Sequence, residues 1–487
     1  MTGKKRRRSD AGPPAPEDAP PQKAIHHTER SHPSGAPPEP GPGADAYYRN
    51  LYATPPDFVE LGKQDPAFGA VLKNGLPDFN DPSAVMQLTK TLLKTGFGLE
   101  VELPDDRLCP AVMNRHNYIL WLKGLMDSTS YDDPGRKVVG LDIGTGASAI
   151  YPFLGCAQRQ WAFFATDIDP KSLAHARRNV ELNGLRSRIS IVGRTKEDSL
   201  VPLDDLGVTS LDFVMMNPPF YESDEDLLSS AAAKSRPPWT ACTGAAHEMV
   251  TPGGEVAFVR RILDESLVLR EKVAWYTSMF GKLSSLEAFV EILKEHGVDN
   301  YAVTEFVQGQ KTRRWAVGWS FGAMRPSEEV ARGIKASTWK KLFPPAVETE
   351  LRVKLDLKPG DIGDKVQDIL SSLELLSWEW DREKLAGVGR APGDVWSRAW
   401  RRRKMREERE GIRKEDAAAS EESAFGFEVS LRVGREQTAV ICRWREGHKA
   451  SVYESFCGFM TTRLSGVSMM GQKEKKQEGQ SSANKAA

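Results

Sequence analysis

Val138-Val139-Gly140-Leu141-Asp142-Ile143-Gly144-Thr145-Gly146-Ala147-Ser148 is the stretch that decides the fold. Its first six residues are apolar apart from Gly140 and Asp142, the pattern of a strand buried on both faces. Two glycines follow where strand gives way to helix; glycine there permits a tight turn and a close approach of backbone to a ligand. Ala147 to Leu154 fits a short helix, and Trp161-Ala162-Phe163-Phe164-Ala165-Thr166 a second buried strand. That strand ends at Asp167, 25 residues after Asp142, where an acid can accept hydrogen bonds from both hydroxyls of a ribose. The third glycine of the dinucleotide fingerprint is missing. These features mark a nucleoside cofactor at the carboxyl ends of two strands and leave S-adenosylmethionine and NAD both open.

Reading outward, Pro170 to Asn183 predicts a helix, with Pro170 suited to its first turn and Asn183-Gly184 to its end. Ile189 to Val192, Leu211 to Met216 and Glu255 to Val259 read as further strands. Tyr301 to Phe306 and Trp315 to Ser320 read as an antiparallel pair at one edge. Strands alternating with helices over 136–325 give an α/β domain, a Rossmann-like, doubly wound and mostly parallel sheet. Upstream, Ala84, Val85, Leu88, Leu92 and Leu93, then Tyr118, Trp121, Leu122 and Leu125, recur at three- and four-residue spacing. They predict a helical N-terminal extension over 46–135. Downstream, 345–466 reads as a small α+β domain. In it Glu350 to Leu355 is a strand, Ile362 to Leu373 a helix, Phe427 to Val433 with Thr438 to Trp444 a hairpin, and Val452 to Leu464 a closing helix. Residues 1–45, with ten prolines and few large apolar side chains, and the polar 467–487 read as disordered tails.

The 67 basic and 67 acidic residues of the 487 cancel, which argues against gripping nucleic acid by bulk charge. Any such binding must come from local clusters. No window resembles a transmembrane span and no apolar stretch borders the basic N-terminus, so neither a membrane nor secretion is expected. Lys4-Lys5-Arg6-Arg7-Arg8 in an exposed tail reads as a nuclear localisation signal, with the cytoplasm as the second compartment. The five cysteines are scattered without metal-ligand spacing, so reduced thiols and no metal are expected.

The chemistry is carried by Leu211-Asp212-Phe213-Val214-Met215-Met216-Asn217-Pro218-Pro219-Phe220. A buried strand delivers Asn-Pro-Pro-Phe to its carboxyl end, where open α/β sheets bind ligands. An amino group conjugated to a ring is a poor nucleophile. The Asn217 side-chain carbonyl and the Pro218 backbone carbonyl can accept both of its hydrogens, drawing the nitrogen toward tetrahedral geometry. The prolines fix the acceptors in advance. Phe220 offers a face for a flipped-out base, worth about 1–3 kcal/mol.

Together, Asn114-Arg115-His116-Asn117-Tyr118, Leu141 through Ser148, Asn217 through Phe220, Trp275 through Lys282, and Thr304-Glu305-Phe306 followed by Arg314-Trp315-Ala316 resemble a known family. It is the methyltransferase-ten domain of eukaryotic U6 small nuclear RNA adenine-N(6)-methyltransferases, related to a bacterial ribosomal RNA adenine methyltransferase, over residues 47–322. The resemblance implies S-adenosylmethionine as cofactor and S-adenosylhomocysteine as product. It implies that Arg115 holds the cofactor carboxylate, that Gly144, Gly146, Ser148 and Asp167 bind the cofactor too, and that Asn217 lies against the adenine. Family members often carry Glu at the position of Asp167. A further contact is expected from the loop after Val192, with Asp198 as its candidate. U6 small nuclear RNA, at an adenine of its ACAGA-type box, and a monomeric enzyme are implied in the same way.

Around the motif, Lys282, Arg260, Arg261 and Arg314, with Lys311 and Arg313, could reach RNA phosphates. The polar loop 221–249, which carries Glu222, Asp224, Glu225, Asp226, Lys234, Ser235 and Arg236, reads as a lid or binding loop beside the motif. Arg401-Arg402-Arg403-Lys404 beside Trp396 and Trp400 suits RNA equally with a salt-bridged solvated helix, since Glu407, Glu408 and Glu410 follow. Two other readings stay open: a protein glutamine N-methyltransferase, whose motif usually ends in Tyr, and an RNA-binding splicing regulator in which turnover is secondary.

Overall fold

The computed structural model describes residues 44–131, 135–223, 225–226, 244–308, 312–334, 341–354, 358–410, 425–435 and 437–465. The basic cluster at 4–8, Asp224, Lys234-Ser235-Arg236, Lys311 and the two tails lie outside them.

The central sheet has eight strands: β1 Val139–Ile143, β2 Ala162–Asp167, β3 Ile189–Gly193, β4 Leu211–Met216, β5 Val273–Phe280, β6 Tyr301–Gln308, β7 Thr312–Trp319 and the two-residue β8 Arg332–Gly333. Their order across the sheet is β8-β6-β7-β5-β4-β1-β2-β3. The pairs from β3 to β5 are parallel, and β7 runs antiparallel between β5 and β6. The helices α1 Pro82–Phe97 and α2 Val112–Ser128 precede the sheet. Those woven through it are α3 Ile150–Gln158, α4 Pro170–Leu182, α5 Gly254–Leu269 and α6 Leu283–Glu295. Strand order reverses between β1 and β4, and that switch point opens the ligand cleft of a doubly wound sheet.

Local chemistry sets the helix ends. Asp81 caps α1 by accepting from Ser83 N–H at 2.9 Å, and Gly98 ends it in the left-handed region at φ 66°. Asp169 caps α4 in the same way, with Pro170 in its first turn. The N-terminal extension has no core of its own. Tyr48, Leu93, Phe97 and Leu122 bury themselves with Phe153, Trp161 and Phe213 of the sheet layer. A second cluster fills the opposite face around Val214, Tyr276, Phe289 and Trp319.

One expectation changes. Glu255–Val259 is no strand; it is the start of α5. Val259, Ile262, Leu263 and Ser266 recur at helical spacing and are the buried face, whereas a five-residue window of apolar residues cannot distinguish the two periods. The strand that follows is β5, buried at every position but Ala274. The antiparallel pair stands at one end of the sheet as expected, with β7 beside β5 and the two-residue β8 beyond β6.

The C-terminal part is a five-stranded antiparallel sheet. Its strands are β9 Glu348–Lys354, β10 Ser377–Asp381, β11 Ala386–Ala391, β12 Phe425–Val433 and β13 Gln437–Glu446, in the order β9-β13-β12-β11-β10. The helix α7 Pro359–Ser371 and a closing helix over 450–465 cover one face, around Phe425, Phe427, Trp444 and Phe456. Trp396, weighed above as an RNA contact, belongs to this core at 7% exposure. α8 Arg398–Glu410 presents Arg401 and Arg402 to solvent and stacks Arg403 on Trp400, 4.3 Å from the ring centre.

This sheet is fastened to the catalytic one. Arg443 and Arg445 of β13 donate to the carbonyls of Ser128 and Ser130, at 3.0 and 2.9 Å, just where α2 ends. Arg325, 2% exposed, donates to Gly447 O at 3.0 Å, pairs with Asp299 and lies 4.1 Å from the Trp444 ring centre.

Candidate active site

The glycine turn after β1 is shaped by two left-handed residues, Gly144 at φ 71° and Gly146 at φ 65°. The N–H groups of Gly144 and Thr145 both donate to Thr166 O at 2.9 Å, tying the turn to the end of β2. Asp167 stands there with its carboxylate fixed by two backbone donors, Gly146 N–H at 2.8 Å and Asp169 N–H at 2.9 Å. Those bonds leave it further lone pairs and hold its orientation, as a ribose-binding acid requires.

Arg115, in the first turn of α2, is 8% exposed and lies 5.7 Å from the Tyr151 ring centre. No carboxylate pairs with it among the described residues. Beneath it lies Asp142, fully buried, with neither oxygen hydrogen-bonded in good geometry. Burial pushes the Asp142 carboxyl up to about 7; the Thr145 hydroxyl and Arg115 pull against that, and Asp167 adds to it. A buried guanidinium with no ion-pair partner, close to an acid whose charge burial disfavours, is a cradle for a charged amino-acid group.

Asn217 follows β4 directly, and its side-chain oxygen is buried without a hydrogen-bond partner. Phe220 packs against Gly281 and has the Arg314 guanidinium 5.4 Å from its ring centre. Burial, then the proximity of Arg115, draws Arg314 below the ordinary guanidinium range.

One cleft brings most of these groups together, with Asp142, Phe220 and Arg314 outside its lining. Arg115, Gly144, Gly146, Ser148, Asp167, Asn217, Pro218 and Pro219 all line it, and it measures about 1150 Å³ counting its open mouth. Asp198 is not brought in: its carboxylate is turned back on its own loop, accepting from Thr195 N–H at 2.7 Å and lying 3.5 Å from Arg194. Thr195 and Lys196 line the cleft in its place. Arg261, expected at the RNA rim, lies at this cleft and donates to Lys196 O at 3.3 Å, while Arg260 is exposed beside it. Lys282 is 3.2 Å from Asp226, with its side chain 45% exposed.

Two groups escaped the sequence reading. Leu108 and Pro110 of the extension roof the cleft, and Glu248 accepts from Leu108 N–H at 3.0 Å and Ala245 N–H at 2.7 Å. A bond spanning 140 residues leaves no local pattern.

The sheet order, the glycine turn, the acid ending β2 and the tetrapeptide ending β4 define a Rossmann-like methyltransferase acting on an amino group. The sequence profile of a family described as RNA methyltransferase matches residues 44–323, and the chain belongs to that family. It is 39% identical over 394 residues to the U6 small nuclear RNA (adenine-(43)-N(6))-methyltransferase of Schizosaccharomyces pombe, covering 81% of this chain and 96% of that protein. It is 39% identical over 282 residues to the Homo sapiens RNA N(6)-adenosine-methyltransferase METTL16, covering 56% of this chain and 50% of that one. The chain thus spans nearly all of the fission-yeast relative and half of the human one. A crystal structure of the hMettl16 catalytic domain in complex with MAT2A 3′UTR hairpin 1 matches with a TM-score of 0.51 and 40% identity, over 56% of this chain and 94% of that one.

Proposed function

We propose that this protein uses S-adenosylmethionine to methylate the N6 amino group of an adenine in a structured RNA, and that U6 small nuclear RNA is its substrate in the nucleus. The observation that carries the reading is Asn217: a buried side-chain oxygen with no partner, in the cleft that Arg115 and Asp167 line. An unsatisfied buried acceptor costs about 1–3 kcal/mol unless a ligand donor meets it. The target identity rests on the fission-yeast relative, nearly all of whose length this chain spans.

When bound, S-adenosylmethionine supplies a sulfonium methyl as electrophile. Asp167 is placed to accept from the ribose, the backbone of the Gly144–Gly146 turn to approach the nucleoside, and Arg115 to pair with the carboxylate. On the substrate side, Asn217 Oδ1 and Pro218 O accept the two hydrogens of the adenine amino group and localise its lone pair. Phe220 stacks on the extruded base. No shifted general base is required, because the nitrogen becomes acidic as the new bond forms and its proton passes to water. The C-terminal α+β domain, with the cationic α8 on its surface, serves as a second RNA grip.

The test is incubation of the full-length protein with labelled S-adenosylmethionine, U6 transcripts and a protein pool, followed by mapping of the modified base. The expected product is N6-methyladenosine at one adenine, and Asn217→Ala lowers the rate on the order of 100-fold. Label confined to protein would overturn the proposal in favour of glutamine methylation.

A further inference from the structure

Phe220 is the one member of the tetrapeptide not held by the backbone restriction of its own prolines. Its ring lies against Gly281, in the two-residue turn between β5 and α6. A Cβ on Gly281 would stand 2.7 Å from Phe220 Cδ1 and 3.2 Å from both Cε1 and Cγ. Gly281 is not in the left-handed region, so backbone conformation does not require the glycine; the ring does. The turn itself is fixed from a different helix. Glu255, in the first turn of α5 and 2% exposed, accepts Gly281 N–H at 2.6 Å and Lys282 N–H at 3.1 Å. Helix α6 has no side-chain cap of its own at Lys282, so Glu255 supplies the anion its first turn lacks.

The geometry points to Glu255 as a positioning residue for the base-stacking platform: it holds the Gly281–Lys282 turn, which sets where the Phe220 ring lies and where Lys282 leaves the surface. This deepens the proposed function and rests on it. A buried carboxylate that accepts two adjacent N–H groups fixes both the direction and the depth of the turn, because each bond tolerates only a few tenths of an ångström before it weakens. Positions tighter than about 0.5 Å are what stacking and transfer geometry demand. The bland alternative is that Glu255 only caps α6 and stabilises the fold.

Gly281→Ala tests whether the place of the ring matters, since it leaves the cap intact and displaces the ring; Glu255 itself is tested by its own variant. Glu255→Gln keeps the size and removes one acceptor. Both variants of the full-length protein, with wild type, are assayed for kcat and KM on the U6 transcript and for the Kd of S-adenosylhomocysteine. A second probe is the fluorescence of the same RNA carrying 2-aminopurine at the target position, which reports stacking of the extruded base. The expected result for both variants is at least a tenfold loss of kcat/KM for RNA and an altered 2-aminopurine signal, with cofactor Kd within about twofold of wild type. Wild-type RNA kinetics and fluorescence in Gly281→Ala would overturn the inference, even if Glu255→Gln melts at a lower temperature. Wild-type RNA kinetics and fluorescence in Glu255→Gln would overturn it equally; if that variant does not fold, Glu255→Asp, which keeps both acceptors on a shorter stem, takes its place. Failure of the wild-type protein to methylate any RNA would instead remove the underlying function, a distinct outcome.

Discussion

Replacing Asp142 by asparagine removes a charge that the fold forces into a site with no hydrogen-bond partner of good geometry. Folding raises that carboxyl from the ordinary 3.8 to about 7. A raised acid binds its proton more tightly in the native state, so native stability falls as pH rises from about 4 and levels off above about 7. A shift of about three pKa units corresponds to roughly 4 kcal/mol once both states are ionised, and roughly 2–3 kcal/mol of it develops between pH 5 and 8. The amide introduced by Asp142→Asn does not titrate. The advantage of this variant over wild type is therefore expected to grow by about 2–3 kcal/mol across that interval, on top of any constant offset. Urea unfolding of the ligand-free protein, followed by tryptophan fluorescence at pH 5, 6, 7 and 8 and constant ionic strength, measures the gap directly. A difference that stays flat across the four pH values would refute the burial argument and with it the raised carboxyl near Arg115.

Arg115→Ala is expected to weaken binding of S-adenosylhomocysteine on the order of 10- to 100-fold, the worth of a charge-assisted hydrogen bond to a carboxylate, as calorimetry would show. Arg115→Lys recovers only part of it, since an ammonium cannot reproduce the guanidinium fork. Arg325→Ala removes a buried cation that touches Gly447, Asp299 and Trp444; the half-exposed Asp299 returns to water, so the expected cost is about 1–3 kcal/mol, mainly the lost bond to the Gly447 carbonyl. Its signature would be a separate, earlier unfolding step of the C-terminal sheet in calorimetry; a single unshifted transition would contradict the docking described above.

The site was legible where one short segment carries its own chemistry. Gly144 and Gly146 announce a left-handed turn by being glycines, and Asn217 to Phe220 announce an acceptor pair followed by a ring. It was illegible where function depends on segments meeting in space. Glu248 reaches Leu108 across the sequence, and Glu255 reaches Gly281 from a region whose apolar residues fit two periods at once. Asp198 was the reverse case, an acid in the right loop that satisfies its own backbone. In the C-terminal sheet, β10 and β11 carry no expectation above; Ala386–Ala391 holds Gly387 and Gly389, which weaken a strand pattern. The fold uses those glycines to admit rings: a Cβ on Gly387 would stand 2.6 Å from Trp378, and one on Gly389 2.4 Å from Phe427.

Helix α2 joins two places that the sequence keeps far apart. Arg115 stands in its first turn, and the carbonyls of Ser128 and Ser130 at its other end receive Arg443 and Arg445. Seventeen helical residues make a rod about 25 Å long. A helix resists axial compression far better than a loop does, so the rod works as a strut between the two sheets. Trimming the chain after residue 325 would return the strut's last carbonyls to water, while its buried face stays packed in the core of the sheet layer.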